Sequence, residues 1–175
     1  MRKKSKIYTR TGDNGVTRLG NGDLIPKDSL RIEAIGTIDE LSSTLGMVLS
    51  YAIPTTIRDC LVEIQRVLID LGGDLAISNR SFITTAHVLR LEECIDVFDE
   101  SLPPLREFIL PAGSAVVTTC HLARTVCRRA ERRVVALKHH ETVNKEISIF
   151  LNRLADLLFV LARVLDQIEH LDKEL

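Results

Sequence analysis

Apolar residues recur along most of the chain at spacings of three and four, the interval of one helix face. Leu41, Leu45 and Val48/Leu49 mark a first helix. Thr37 and Glu40 stand in the S/T-x-x-E arrangement of a capping box, so this helix is expected to open at Thr37 and to end before Pro54. Ile57, Leu61, Ile64, Leu68 and Leu71 predict a second helix from Thr55 to Leu71, closed by Gly72-Gly73. Val88, Leu91, Ile95 and Phe98 predict a third over Thr85–Phe98, broken by Pro103-Pro104. A fourth runs without Gly or Pro to Lys138, with Ser114 as its N-cap and Val117, Cys120, Cys127, Val134 and Val135 on its apolar side. The fifth, Asn144 to Leu171, buries Phe150, Leu151, Leu154, Leu157, Leu158, Leu161, Leu165 and Ile168, a face interrupted by Asn152 and Asp156. Five such segments with short connections and almost no β patterning predict an all-α fold, a five-helix antiparallel bundle.

The first 36 residues differ. They hold five of the nine glycines, with Pro26 and several Asp, Asn and Thr. After a short extended start at Lys6–Thr9 they read as ordered turns and loop. The expected organisation is a single domain over 1–175: an ordered Gly-rich N-terminal arm over 1–36 and the helical bundle over 37–175.

Composition narrows the function classes. Lys plus Arg (23) nearly balance Asp plus Glu (24), so bulk charge gives no reason for nucleic acid or a membrane surface as partner. Arg2, Lys3, Lys4, Lys6 and Arg10 crowd the start, but without a reading motif they do not change that expectation. No apolar stretch follows them as in a secretory signal, and Asn152, Arg153, Asp156 and Arg163 break the C-terminal apolar run as a membrane span. Cys60, Cys94, Cys120 and Cys127 include no C-x-x-C pair and read as reduced core thiols of a cytoplasmic protein.

The candidate chemistry lies in two places. Arg124, Arg128, Glu131 and Arg132 fall at i, i+4, i+7 and i+8, on one face of the fourth helix. In His121–Arg133 one Glu answers five Arg. Two readings fit: a hydrated outer face with surface ion pairs, and a clamp in which guanidinium forks grip an oligophosphate. Thr9-Arg-Thr-Gly-Asp-Asn-Gly-Val-Thr17-Arg18 combines hydroxyls, main-chain donors and two Arg. Such a loop can wrap phosphates, or be a plain surface arm. It is no Walker loop, and Gly20-Asn-Gly22 lacks the setting of a dinucleotide fingerprint. Asp39 reads as a helix-start acid or as partner to a clamp arginine. No Glu-x-x-His occurs, which excludes a di-iron bundle, and His139-His140-Glu141 is read as an exposed helix end and not as a metal site. Acid–base and nucleophile signatures are missing too, so the residues alone stop at oligophosphate binding.

Six blocks, in order, resemble the PduO-type ATP:cob(I)alamin adenosyltransferase family. They are Lys6–Thr17, Pro26-Lys27-Asp28, Glu33–Leu41, Phe108–Gly113, His121–Arg132 and Phe150–Asp156, spanning nearly the whole chain. One departure is Ala112-Gly113, where the family pattern usually has Gly-Gly. The resemblance implies a homotrimer with active sites between subunits. It implies that Thr9, Arg10, Thr11, Gly12, Thr17, Arg18 and Lys27 wrap the triphosphate of ATP with Mg²⁺, and that Arg128, Glu131, Arg132 and Asn152 of another subunit complete the nucleotide site. Asp39 and Arg124 match an intersubunit ion pair, and Phe108 matches the aromatic that faces the lower side of the corrin. The implied reaction moves the 5′-deoxyadenosyl group of ATP to cob(I)alamin, cobalamin being a substrate. No protein-bound metal is expected, and a flavoprotein reductase or a cobalamin-dependent client enzyme are implied partners. The competing classes are a non-catalytic ATP/corrinoid delivery or sensor protein, a structural helical oligomer, and an ATP-dependent kinase.

Overall fold

A computed structural model describes residues 7–77, 80–105 and 107–173. Two short strands, β1 (Val16–Arg18) and β2 (Leu24–Pro26), precede five helices: α1 (Leu30–Leu49), α2 (Thr55–Ala76), α3 (Thr85–Asp99), α4 (Ala115–Lys138) and α5 (Lys145–Lys173). Each helix turns its predicted stripe to the core, with Leu49, Ile95, Phe98 and Ile168 only half-buried, and Phe150, Leu45, Leu61, Leu137 and Leu158 are among the side chains almost wholly removed from water. Val135, expected on the apolar side of α4, is instead 41% exposed.

Cross-links between helices give their directions. Glu33 pairs with Arg133 and Glu40 with Arg129, so α1 and α4 run antiparallel. The thiols of Cys120 and Cys127 donate to the carbonyls of Leu158 and Leu151, setting α4 antiparallel to α5. Gln65 and Arg58 reach the carbonyls of Ser42 and Leu49, setting α1 against α2 in the same way. The exception is α3: Arg153 meets Glu92 and Arg163 meets Asp99, so α3 and α5 run parallel. Consecutive helices still alternate in direction. Helices α3 and α5 are two steps apart in that order, which is why these two neighbours match in sense.

Two helix limits differ from expectation. Helix α1 begins at Leu30, where the Ser29 hydroxyl accepts from the Ile32 N–H at 3.4 Å, not at Thr37. Thr37 lies mid-helix with its hydroxyl turned back to the Glu33 carbonyl at 2.7 Å. A capping box requires an extended residue at its head, and here the chain is already helical. Helix α2 runs through Gly72-Gly73 to Ala76. Each glycine costs roughly 1 kcal/mol against alanine in a helix. Tertiary contacts outweigh that cost. Leu75 is fully buried, and its carbonyl accepts from Arg31. The Asp74 carboxylate receives the N–H groups of Phe82 and Ile83 at 2.7 and 3.0 Å and the Asn144 amide at 3.2 Å.

The N-terminal segment also holds more order than turns and loop. Strands β1 and β2 pair antiparallel, with Thr17 opposite Ile25, and the Lys27 N–H donates to the Gly15 carbonyl at 2.9 Å. The expected extended start at Lys6–Thr9 forms no strand over Ile7–Thr9, and Lys6 lies outside the described residues. Among the described residues no helix is long and apolar enough to cross a membrane.

Candidate functional site

The hairpin shapes a cleft of about 390 Å³ against the residues before and after it. Every arm residue singled out by sequence lines it: Thr9, Arg10, Thr11, Gly12, Thr17, Arg18 and Lys27, joined by Asp13. Three features show local construction. A Cβ on Gly12 would stand 2.9 Å from the Val16 carbonyl and 3.1 Å from the Lys27 ammonium, so only glycine lets the lysine lie this close to the turn. Arg10 adopts a left-handed backbone (φ 60°), a conformation costing a bulky residue on the order of 1–3 kcal/mol. Its guanidinium sits 5.5 Å from the Tyr8 ring centroid. The hydroxyls of Thr9 and Thr11 are 2.9 Å apart. Cations, hydroxyls and turn N–H groups around one concavity suit phosphate oxygens.

Helix α4 divides its arginines between two tasks. Arg129 and Arg133 are engaged by Glu40 and Glu33 of α1, acids that the composition of α4 alone does not reveal. Arg128 and Arg132 are exposed and have no hydrogen-bond or ion-pair partner among the described residues. Beside them, Glu131 accepts from the Asn152 amide at 3.2 Å, and the Asn152 carbonyl accepts from Arg153 at 2.8 Å. Arg153 is held in turn by Glu92 at 2.7 Å. Asn152 thus interrupts the apolar face of α5 in order to tie it to the clamp. The hydrated-face reading fits Arg129 and Arg133. The clamp reading fits the other two.

Arg124 belongs to neither group. Its guanidinium lies 5.8 Å from the Phe159 ring centroid, while its Nε is buried without a partner. Asp39 is exposed, and it is the tenth residue of α1, too far from the start to act as a helix-start acid. Within one chain no ion pair links it to Arg124 among the described residues.

A second, larger cleft of about 500 Å³ opens between the α3–α4 connection and the faces of α4 and α5. Glu107, Ile109, Leu110 and Ala112 line it, together with Val117, His121, Asp166 and Gln167. Phe108 does not; its side chain projects fully into solvent (106% exposed) from the same loop. The departure at Ala112-Gly113 is resolved here. Gly113 carries the positive φ of 130°, and a Cβ there would meet Val117 at 2.9 Å. Ala112 has no such backbone demand, so the glycine retained is the one the turn requires. His121 packs against Phe159, with ring centroids 6.3 Å apart. Burial and the neighbouring Arg124 hold its imidazole below the usual histidine pKa, Asp166 only partly opposing them. Helical periodicity does not single out His121, Phe159 or Gln167; only their place on the cleft or beside it does.

The cysteines are chemically quiet. Burial pushes the Cys120 thiol up to about 12 and raises Cys127 as well, so neither supplies a thiolate near neutral pH. Among the described residues no three His, Cys, Asp or Glu side chains converge as a metal site. Glu141 of the His-His-Glu run is taken by Arg31 at 2.8 Å.

The two halves of the expected nucleotide site do not meet within one chain. The arm cleft contains no residue of α4 or α5, and Arg128 and Arg132 are exposed with no hydrogen-bond or ion-pair partner among the described residues. Comparison with known proteins finds relatives along nearly the whole length of the chain. The "Cobalamin adenosyltransferase" of Cupriavidus metallidurans is 48% identical over 164 residues, covering 93% of this chain and 89% of the relative. The "Corrinoid adenosyltransferase" of Bacillus subtilis is 45% identical over 168 residues, covering 92% and 86%. Among solved structures, a variant PduO-type ATP:corrinoid adenosyltransferase from Lactobacillus reuteri, complexed with cobalamin and ATP, superposes with a TM-score of 0.88 at 36% identity. That superposition covers 94% of this chain and 93% of the other. Residues 7–165 match the family described as cobalamin adenosyltransferase, and the chain belongs to that family.

Proposed function

We infer that this chain is an enzyme that transfers the 5′-deoxyadenosyl group of ATP to the cobalt of reduced cob(I)alamin, giving adenosylcobalamin and triphosphate. The observation that carries the reading is the division of the phosphate-binding residues. A cationic, hydroxyl-rich cleft on the N-terminal arm and an unpaired Arg128/Arg132 pair on α4 each offer half of a triphosphate site. We propose that a homotrimer joins them. The arm of one subunit would meet Arg128, Glu131, Arg132 and Asn152 of the next, and Asp39 would reach Arg124 across the interface. The partnerless Nε of Arg124 and the exposed carboxylate of Asp39 support that pairing.

The reaction is an in-line displacement at the ribose 5′-carbon. The cobalt electron pair forms the Co–C bond, the C5′–O bond breaks, and its electrons leave on the triphosphate oxygen. Co(I) is itself a strong nucleophile, so no protein base or covalent intermediate is required. The protein holds the two reactants in line and stabilises charge growing on the leaving group, work that suits Lys27, Arg128 and Arg132. The Thr9, Thr11 and Thr17 hydroxyls and the Asp13 carboxylate are hard oxygens that fit Mg²⁺ carried on the phosphates. Bound there, the ion supplies further neutralisation of phosphate charge.

Phe108, whose side chain is free of the core, would lie against the lower face of the corrin. It offers cobalt no donor atom and excludes water, which favours reduction of Co(II) with its lower ligand removed. The electron comes from outside the chain, for which a flavoprotein reductase is the fitting partner, and a cobalamin-dependent enzyme would take the product. The free cysteines suit the cytoplasm.

The direct test is anaerobic mixing of the protein with Mg-ATP and chemically reduced cob(I)alamin. A light-sensitive alkylcobalamin with triphosphate in equal amount is the expected result. A Co(I) spectrum matching the protein-free control would overturn the reading, ATP binding without turnover would indicate a sensor or carrier, and ADP as product would indicate a kinase.

A further inference from the structure

The larger cleft has an apolar wall, with Leu110, Val117 and Ala162 among its residues. Two polar atoms at this wall are anomalous. His121 is 4% exposed, and its Nδ1 has no hydrogen-bond partner among the described residues; the Oε1 of Gln167 is buried and equally without one there. Both residues line the same cleft, one from α4 and one from α5. Polar atoms buried without partners are costly, and few persist in folded proteins unless a ligand or water satisfies them. The depressed pKa of His121 keeps its ring neutral near pH 7, so its two nitrogens act as one donor and one acceptor. Gln167 Oε1 can only accept. Asp166 and Glu107 also line the cleft, whereas its arginine, Arg163, is already engaged by Asp99 and the Pro103 carbonyl.

A neutral group that donates N–H and accepts at a carbonyl satisfies both orphaned atoms. A carboxylate cannot donate to Gln167 and would face two acids. Primary carboxamides border the corrin ring, whose faces are apolar. We propose that His121 and Gln167 bind a peripheral carboxamide of the corrinoid, making this cleft selective for amidated over acidic side chains. The assignment rests on the adenosyltransferase reading above and adds the recognition element to it.

The test compares cob(I)alamin with the isomeric mono-acids in which one peripheral carboxamide is hydrolysed to a carboxylate, measuring KM for each. For wild type, at least one mono-acid is expected to show a KM about tenfold higher than the amide, the size of one lost hydrogen bond. Gln167→Met and His121→Leu should each raise KM for the amide about tenfold, while KM for that mono-acid moves by less than about twofold. KM for ATP should stay in place. His121→Asn, which keeps a polar atom near the Nδ1 position, should retain the discrimination. Wild type that accepts every mono-acid as well as the amide overturns the proposal, and so do variants that keep full discrimination. A KM for ATP rising in step would reduce both residues to structural ones. If wild type converts no corrinoid at all, the adenosyltransferase reading itself falls, a result distinct from active but indiscriminate enzyme.

Discussion

Arg128 and Arg129 are neighbours in sequence with opposite expected fates, and the contrast tests the clamp directly. Arg129 reaches Glu40 of α1, with both side chains about half exposed (42% and 52%). A pair this wet contributes about 0–1 kcal/mol to stability, so Arg129→Ala should lower the unfolding free energy by no more than that. Its turnover should be close to wild type. Arg128 has no hydrogen-bond or ion-pair partner among the described residues, so Arg128→Ala should leave stability within about 0.5 kcal/mol of wild type. Removing one preorganised donor to developing charge costs about 2.7–4 kcal/mol of transition-state stabilisation, on the order of a hundred- to a thousandfold in kcat. The assay is anaerobic adenosylation with saturating Mg-ATP and cob(I)alamin, paired with urea unfolding of the same preparations. Because the expected loss lies in kcat and not in folding, a destabilised and inactive Arg128→Ala would not support the argument. Full activity in Arg128→Ala, or equal losses in the two variants, would refute the clamp.

Three further outcomes follow from individual residues. Phe108→Ala should leave folding unchanged, its side chain being fully solvent-exposed, and should spare turnover of pre-reduced Co(I) far more than turnover starting from Co(II); equal losses in the two assays would remove the lower-face role. Gly113→Ala should destabilise by about 1–3 kcal/mol in urea unfolding, since it combines φ 130° with a Cβ 2.9 Å from Val117, whereas Ala112→Gly should cost less than about 1 kcal/mol. His121 has a folded pKa below its unfolded value, so the neutral form is favoured in the fold. Its contribution is present above the unfolded value of about 6.5 and is lost as pH falls below it. His121→Leu should therefore flatten the decline of stability below about pH 6.5, and an unchanged acid limb would contradict the assignment.

Much of the bundle could be read from the chain. Five apolar stripes at helical spacing required five helices with one buried side each, and the structure places them so, because burying such a face is the main thing that stabilises a helix of this length. Boundaries were less legible where long-range contacts set them. Nothing near Gly72-Gly73 announces that Arg31 will take the Leu75 carbonyl, or that Asp74 will receive two loop N–H groups, and those contacts carry α2 past its glycines. Ser29, by contrast, is a residue type that caps helices, and it heads α1 although Thr37-x-x-Glu40 is the fuller capping-box pattern.

The candidate site divides along the same line. Residue types and local spacing determined that Thr9–Arg18 would offer hydroxyls and cations, and that Arg124, Arg128 and Arg132 would share a face, since a turn and a helix place near neighbours by geometry alone. Which arginines are spent and which are free was decided only by tertiary structure. Glu33 and Glu40 lie about ninety to a hundred residues before the arginines they neutralise, a separation that composition cannot bridge. The cleft that unites His121 of α4 with Gln167 of α5 is likewise a product of packing. So is the separation of the arm cleft from Arg128 and Arg132, which leaves each half of the proposed phosphate site without the other inside one chain.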